Sequence, residues 1–464
     1  MVEEEEKIVR SKIAIKRHYL PIEERIKSFK EVNLGYLELD EVIQECERCH
    51  QCFIKSDPNL KPPPCKKYCP TQCNSREIIK NVLENNIEEA LKIIYEHYPF
   101  PRCVERVCPG YCQLHCTAGK RGDPIQIPMI KRYLVDNYGL SKDYYNREAD
   151  IGKKVAVIGS GPLGLTVAFY LRKQGISVSV FERDDVIGGL LVSAIPEFRL
   201  PRKVLNTEVD NIKKLGVNFI TNKGIDENFT MDQLLDSGYD AIAIGIGSQK
   251  SVYMGVPGED SKIILHAIEF LKNVNLKREI PELEKKKVIV IGGGSTATDT
   301  ARVAKRLGSD ATILYRREKV HMPAGKIEIE HTEEEGINIE FLVNPKEFVC
   351  SEDEFQGAVC QMMDLGELDG SNRPIPIPIE GSEVKYEADY IIEAVGQEPD
   401  LRGFDINNFK ITKKKTFVVN NSFFTNVPTV LAGGDCVVGS KSVVHAVADG
   451  KIIANQIIES FKKK

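Results

Sequence analysis

Val155-Ala156-Val157-Ile158-Gly159-Ser160-Gly161-Pro162-Leu163-Gly164 is the stretch that decides the fold. Four aliphatic residues read as a short buried strand, and the glycines that follow read as a tight turn opening a helix. Gly159 permits the turn, Gly161 lets the backbone approach a pyrophosphate, and Gly164 lets the helix pack on the strand. The helix N-terminus, starting at Pro162, then faces the anion. The next strand, Ser177 to Phe181, ends at Glu182, whose carboxylate can accept hydrogen bonds from ribose hydroxyls. A glycine turn alone would also fit an ordinary loop; the strand before it and the acid after it argue for a dinucleotide site.

The pattern returns downstream. Val288 to Ile291 precede Gly292-Gly293-Gly294-Ser295-Thr296-Ala297, with Ala297 in the place of the third glycine. Gly292, Gly294, Ser295 and Thr296 are the candidate phosphate contacts. The following strand, Thr312 to Tyr315, ends in Arg316-Arg317 rather than an acid. Arginines there suit a 2′-phosphate, so NADPH is expected over NADH; the plain alternative is a pair of surface arginines. Near the C-terminal end, Val430-Leu431-Ala432-Gly433-Gly434-Asp435 reads as a strand ending in glycines and an acid. It can approach a flavin's ribityl and pyrophosphate groups, or be an ordinary turn. Strands alternating with helices imply parallel sheets, and two copies imply two nucleotide-binding domains.

The 464 residues correspond to about three domains. Lys+Arg 63 against Asp+Glu 68 gives a net charge of −5, which offers no global footprint for nucleic acid or anionic lipid. No apolar run approaches the roughly 20 residues that span a bilayer. The acidic start, Met1 to Glu6, is not a secretory signal, so a cytoplasmic location is expected. Cysteine is the abnormal residue: of 13, ten lie between Cys46 and Cys116. In a reducing compartment such a block binds metal or performs redox chemistry. Cys350, Cys360 and Cys436 read as ordinary buried thiols.

Within the block, gaps of two and three residues let neighbouring thiolates reach one centre. Zinc is one reading. Cys69-Pro70 and Cys108-Pro109 favour the other, the Cys-Pro ending of ferredoxin-type cluster motifs. Ser75 to Tyr98 carries aliphatic residues at spacings of three and four and reads as helix. Pro62-Pro63-Pro64 reads as irregular loop.

Taken in order, several motifs resemble one family: Glu24 to Phe29, Leu34-Gly35-Tyr36, Cys65 to Pro70, Arg106-Val107-Cys108-Pro109, Gly188-Gly189-Leu190-Leu191, Ile195-Pro196, Phe198-Arg199-Leu200-Pro201, Met322-Pro323-Ala324 and Gly433-Gly434-Asp435. The chain is similar over nearly its whole length to the NADPH-dependent glutamate synthase small-subunit family. Its relatives include the N-terminal part of dihydropyrimidine dehydrogenase and the large subunit of electron-bifurcating NADH-dependent ferredoxin:NADP oxidoreductase. The resemblance implies an α/β flavoprotein of disulfide-reductase type. Two Rossmann-like domains, with the NADPH domain inserted in a split FAD domain, would follow an α-helical iron–sulfur domain. The expected limits are 1–150 for two 4Fe–4S clusters, 151–255 and 386–464 for FAD, and 256–385 for NADPH.

The same resemblance implies site residues. Gly189, Leu190, Arg199, Gly434 and Asp435 join the FAD contacts. Cys49, Cys52, Cys65 and Cys116 would hold one cluster, and Cys69, Cys108 and Cys112 three corners of the other. Two departures matter. The gap from Cys52 to Cys65 is longer than in the family. The fourth ligand of the second cluster, often Glu or Gln, falls at Lys131, which as a cation has no lone pair for iron. Cys103 is the expected replacement, with Cys73 and Cys46 as weaker alternatives.

No Ser–His–Asp or Cys–His set is apparent, and His321 and His445 read as structural. The expected route is NADPH, FAD, the Cys49 cluster, the Cys69 cluster and then a partner subunit. That partner is either a glutamate synthase large subunit or a ferredoxin- or NAD-linked flavoprotein subunit, so a hetero-oligomer is expected. The glutamine-hydrolysing and FMN-barrel regions of a full glutamate synthase have no room in this sequence. A nucleotide-binding iron–sulfur sensor is a third reading, from a different class.

Overall fold

The computed structural model describes residues 10–52, 61–139, 142–350, 355–370, 372–405 and 407–462. Most of the long Cys52–Cys65 gap and the side chain of Cys350 lie outside them.

Two five-stranded sheets organise the chain after residue 150. The first has the strand order Val430–Ala432, Ala241–Ile244, Lys154–Ile158, Ser177–Phe181, Asn218–Ile220, and every pairing is parallel. The second has the order Asn338–Phe341, Asp310–Tyr315, Lys287–Ile291, Tyr390–Glu393, Ile264–His266, again all parallel. In each the strand before the glycine turn is central. Val155 to Ile158 and Val288 to Ile291 are buried along their whole length. That is the burial of a strand covered by helices on both faces, and it is why these segments read as continuous aliphatic runs.

The first sheet is closed by a strand nearly 190 residues further along, so the second sheet is an insertion within the first. Its limit differs from the expected one. Tyr390–Glu393, assigned from sequence to the last segment, pairs with Lys287–Ile291 and Ile264–His266 in the second sheet.

A three-stranded antiparallel sheet, Val343–Cys350, Phe355–Leu368 and Pro374–Tyr386, extends from the second unit. It was not anticipated. Phe348, Ala358 and Cys360 on its inner face pack against Ile289, Ile291 and Leu314 of the parallel sheet.

The N-terminal cysteine block is helical, with the thiols on short connections. Ser75 to Tyr98 is two helices, Ser75–Leu83 and Ile87–His97, rather than one. The break is Asn85, whose φ of 56° is left-handed, a conformation asparagine tolerates at a helix end. The Asn86 N–H donates back to the Asn81 carbonyl at 2.8 Å and closes the end. Ile78, Ile79, Val82, Leu91 and Ile94 then form the core with Ile130 and Leu134. Pro64 is likewise not loop. It opens the helical turn Pro64–Lys67 that carries Cys65, a position where its missing N–H costs nothing.

The middle of residues 18–35 reaches the two nucleotide units, with Tyr19, Phe29 and Val32 packed on the second unit's core, while Glu31 pairs with Arg106 and Arg132 of the cysteine block and His18 with Glu41. The Val32 N–H donates to the Phe198 carbonyl, and Arg25 pairs with Glu334 at 2.8 Å. The buried guanidinium of Arg306 donates to the Ser28 carbonyl and, together with Arg302, is neutralised by Glu335. No helix among the described residues is long and apolar enough to cross a membrane.

Candidate functional site

At the first turn, Gly159 has φ +94°, and a Cβ there would stand 2.5 Å from the Gly245 carbonyl oxygen. Only glycine meets both conditions. A Cβ on Gly164 would meet the Gly159 oxygen at 1.9 Å, whereas one on Gly161 meets nothing within 4 Å. The first contact is helix packing; the second is open space at the N-terminus of Pro162–Lys173, where a pyrophosphate fits. Glu182 lies buried beside this turn. Its carboxylate accepts from Ser160 N–H at 2.9 Å, Ser160 Oγ at 2.5 Å and Asp184 N–H at 2.9 Å. Gly189, at the start of the Leu190–Ser193 helix, packs on Gly161; a Cβ would come 2.8 Å from its Cα.

Gly434 and Asp435 close the same site. Gly433 and Gly434 pack on the Leu163 side chain, and Gly450 of the last helix, Val443–Lys462, packs on Leu163 and Thr166. Gly434 N–H donates to Asp449 at 3.0 Å, and Asp435 accepts from Lys441 N–H at 3.0 Å. Burial pushes Asp435 up to about 6, with Asp449 adding to the shift.

The second turn repeats this logic. A Cβ on Gly292 would meet the Ala394 oxygen at 2.4 Å, one on Gly293 would enter the Tyr315 ring, and one on Gly294 meets nothing within 4 Å. Ser295 opens the helix Ser295–Arg306, and its Oγ donates to Glu328 at 2.7 Å. Thr296 Oγ1 is 3.5 Å from Gln397 Nε2.

Three expected residues have other surroundings. Arg199 pairs with Asp299 at 2.6 Å and Glu328 at 2.5 Å. It therefore ties the first unit to the helix of the second turn rather than reaching the first turn. Arg317 is buried, donating to the Pro374 carbonyl at 2.6 Å and Asp369 at 3.2 Å; it anchors the antiparallel sheet. Arg316 alone is exposed, with no ion pair among the described residues. The third is Cys103, described below.

Sequence reading missed Glu393, which ends the strand beside Gly292. It is buried, its oxygens make no well-formed hydrogen bond, and His266 Nδ1 stands 3.4 Å from one of them. Burial and the neighbouring Glu259 push it up to about 8. The Glu259 carboxylate is itself occupied by the N–H groups of Met254, Gly255 and Val256.

The cysteines fall into two groups. Cys49, Cys52, Cys65 and Cys116 line one pocket with Arg76 and Thr117, and all of its walls come from the helical block. Cys52 Sγ is 3.0 Å from Thr117 Oγ1, and Gln51 N–H points at Cys49 Sγ at 3.5 Å. Burial, added to the crowding of the other thiols, pushes Cys49 and Cys65 to about 11. Cys49 and Cys65 thus stay protonated until a cation draws them into thiolates. Among the described residues no three His, Cys, Asp or Glu side chains close tightly enough for a single metal ion. The four thiols share a pocket without converging on one point.

The second group contains Cys69, Cys108 and Cys112; Cys73 lies near Cys69, and Cys103 lies near Glu208. Cys69 and Cys108 feel each other's charge, and both act on Cys112. Gly110 N–H points at Cys108 Sγ at 3.4 Å. Cys103 lies five residues before Cys108 in the helix Pro101–Val107, which turns it about 140° away. It faces Glu208 instead, whose carboxylate accepts its N–H at 2.9 Å.

This second group borders the flavin-type unit. Tyr111, next to Cys112, meets His445 edge-on at 5.1 Å. Lys451 of the last helix donates to the Glu96 carbonyl at 2.8 Å and feels the charge of Cys73.

Paired glycine turns on two parallel sheets, beside a thiol-lined helical block, define a nucleotide-linked redox flavoprotein with a metal-cluster module. The chain belongs to the pyridine nucleotide-disulphide oxidoreductase family, whose model matches residues 146–450. Residues 25–142 match the iron–sulfur module described as dihydropyrimidine dehydrogenase domain II, 4Fe-4S cluster. The beta subunit of NADP(+)-dependent formate dehydrogenase from Moorella thermoacetica is 36% identical over 427 residues, 86% of this chain and 60% of that subunit. The chain thus spans less than two thirds of that relative. The glutamate synthase [NADPH] small chain of Azospirillum brasilense is 31% identical over 464 residues, 96% of this chain and 94% of that one. Among solved structures, FprA of Mycobacterium tuberculosis in complex with NADPH shares the fold, with TM-score 0.57 and 17% identity over 67% of this chain and 85% of that one.

Proposed function

We propose that this chain is the electron-transfer subunit that moves electrons between NADP(H) and a partner subunit, as the small subunit of an NADPH-dependent glutamate synthase does. The open space at Gly161 and Gly294, each at a helix N-terminus, fits two dinucleotides. Glu182, Gly189, Gly434 and Asp435 surround the first, which suits FAD. Arg316, exposed and without an ion pair among the described residues, suits the 2′-phosphate of NADPH. The two thiol groups suit two 4Fe–4S clusters.

When bound, the flavin converts a two-electron hydride into single electrons. The chain's own task is position. Arg199, held by Asp299 and Glu328, fixes one nucleotide unit against the other. The Tyr111–His445 contact sets the Cys69 group against the flavin-type unit. The pocket of the Cys49 group is lined by the helical block alone. The route this supports is NADPH, FAD, Cys69 group, Cys49 group, partner, which inverts the two clusters relative to the sequence expectation.

The observation that carries the reading is the contact between the second thiol group and the last helix, because it joins a one-electron module to a hydride site. Similarity along 94% of a glutamate synthase small chain supports that partner. Higher identity to a formate dehydrogenase beta subunit favours a second reading, in which the partner is another redox subunit, including a ferredoxin- or NAD-linked flavoprotein. Anaerobically reconstituted protein is expected to reduce a one-electron dye with NADPH. Full FAD and iron with no dye reduction would return the sensor reading. Glutamate formation from glutamine and 2-oxoglutarate on adding a glutamate synthase large subunit decides between the partners.

A further inference from the structure

The second thiol group presents a problem in charge and ligand count. Three of its cysteines match a four-iron site, yet the residue expected to complete the set is Lys131, fully buried and cationic. Its Nζ lies 2.6 Å from the equally buried Glu105 carboxylate and 4.9 Å over the Tyr98 ring. Burying an ammonium beside a carboxylate is costly unless further charges share the site.

Cys73 stands at this point. It has no exposed surface and feels the charge of Lys131, Cys69 and Glu105. The Tyr98 hydroxyl is 3.4 Å from Cys69 Sγ and also reaches Cys73. Cys73 follows Cys69 by four residues, the same step that separates Cys108 from Cys112. Cys103 is engaged with Glu208 on the other side of its helix. A sulfur ligand suits an iron–sulfur core better than a carboxylate.

We propose that Cys73 is the fourth ligand of the inner cluster, and that Lys131 is a buried counter-charge for the resulting four-thiolate site. The inference rests on the two-cluster reading above. On ligation the Cys73 thiol releases its proton to solvent and its sulfur binds iron. Four thiolates concentrate negative charge around the cluster; the Lys131 ammonium, on which Cys73, Cys112 and Cys69 all act, faces that charge, and Glu105 holds it in place. This explains why a lysine is tolerated where the family places an oxygen ligand: that ligand is no longer needed.

The test is iron and sulfide counted per bound FAD in anaerobically purified holoprotein, so that chains failing to fold do not enter the count. Wild-type protein should hold about eight irons, for two four-iron clusters; about four would overturn the two-cluster reading itself, whatever Cys73 does. Given eight, Cys73→Ser and Cys73→Ala should lose one cluster or leave a three-iron remnant visible by electron paramagnetic resonance, while Cys103→Ser keeps all irons. Unchanged iron and an unchanged reduced spectrum in both Cys73 variants would overturn the assignment, as would loss of a cluster in Glu105→Gln with none in Cys73→Ser. Lys131→Gln should keep both clusters and lower the midpoint potential of one. Two unchanged potentials would overturn the counter-charge role.

Discussion

The two glycine turns are built alike and finished differently. Each follows a fully buried strand, each has a glycine that touches a neighbouring carbonyl, and each leaves open space at the next phosphate-facing glycine. At the first, the strand-end acid Glu182 is satisfied by Ser160 and Asp184. At the second, the adjacent strand ends in Glu393, buried with no well-formed hydrogen bond and His266 Nδ1 at 3.4 Å, and the following strand is succeeded by one exposed and one buried arginine. The shared part is backbone sterics at the first glycine of each turn, Gly159 and Gly292, where a Cβ would meet a neighbouring carbonyl oxygen. The divergent part is side-chain environment, and the variants below test whether it separates the two sites.

Gly164→Val should break the comparison most severely. Its Cβ would lie 1.9 Å from a carbonyl oxygen, an overpacking that costs at least about 1–3 kcal/mol. The expected outcome is protein without FAD, seen by absorbance and a lowered melting temperature. Gly161→Val and Gly294→Val should instead fold and dissociate the two sites. The first lowers FAD content, and the second weakens NADPH binding with FAD retained; loss of FAD from the second variant would contradict the division of labour.

Arg316→Ala tests the arginine pair. A charge-assisted hydrogen bond of about 1.5–3 kcal/mol corresponds to roughly ten- to hundred-fold weaker NADPH binding, with NADH unchanged. Arg317→Ala should lower thermal stability by detaching the hairpin at Pro374 and Asp369 and leave nicotinamide preference intact. Equal effects of both variants on NADPH affinity would remove the distinction drawn from burial.

The smallest effect concerns Glu393. Its folded value, about 8, lies above its ordinary 4.5. A carboxyl raised in this way contributes stability that is fully present below pH 4.5 and is lost as pH rises through about 8. Glu393→Gln should therefore leave the melting temperature unchanged near pH 4.5 and raise it at pH 9, flattening the alkaline limb. A variant that melts in parallel with wild type across that range would show that Glu393 is not the group responsible.

Much of the nucleotide machinery was legible because it is local. Gly159, Gly161 and Gly164 follow from what a strand–turn–helix demands of consecutive residues, and the Gly292 turn repeats the demand. The Cys49, Cys52, Cys65 and Cys116 set came from a family resemblance, and those four thiols do line one pocket. Nearness in sequence does not place Cys103 beside Cys108: a helix sets residues five apart about 140° around its axis, and Cys103 meets Glu208. Arg317 differs from Arg316 because the antiparallel sheet folds over it, its guanidinium being held by the Pro374 carbonyl and Asp369 from residues more than 50 positions away. The Asn85 break was readable in principle from the Asn85-Asn86 pair, a common helix ending.

Chain order was enough for two sheets, two turns and a thiol-rich module ahead of them, because each rests on short-range sterics and periodic burial; the split of the first unit came from the family resemblance. The partners of Arg199, the counter-charge around Lys131, the choice of Cys73 over Cys103 and the side of the thiol block that meets the last helix came only with folding. These are contacts between residues up to several hundred positions apart, and their energies depend on burial and distance, which no local pattern encodes.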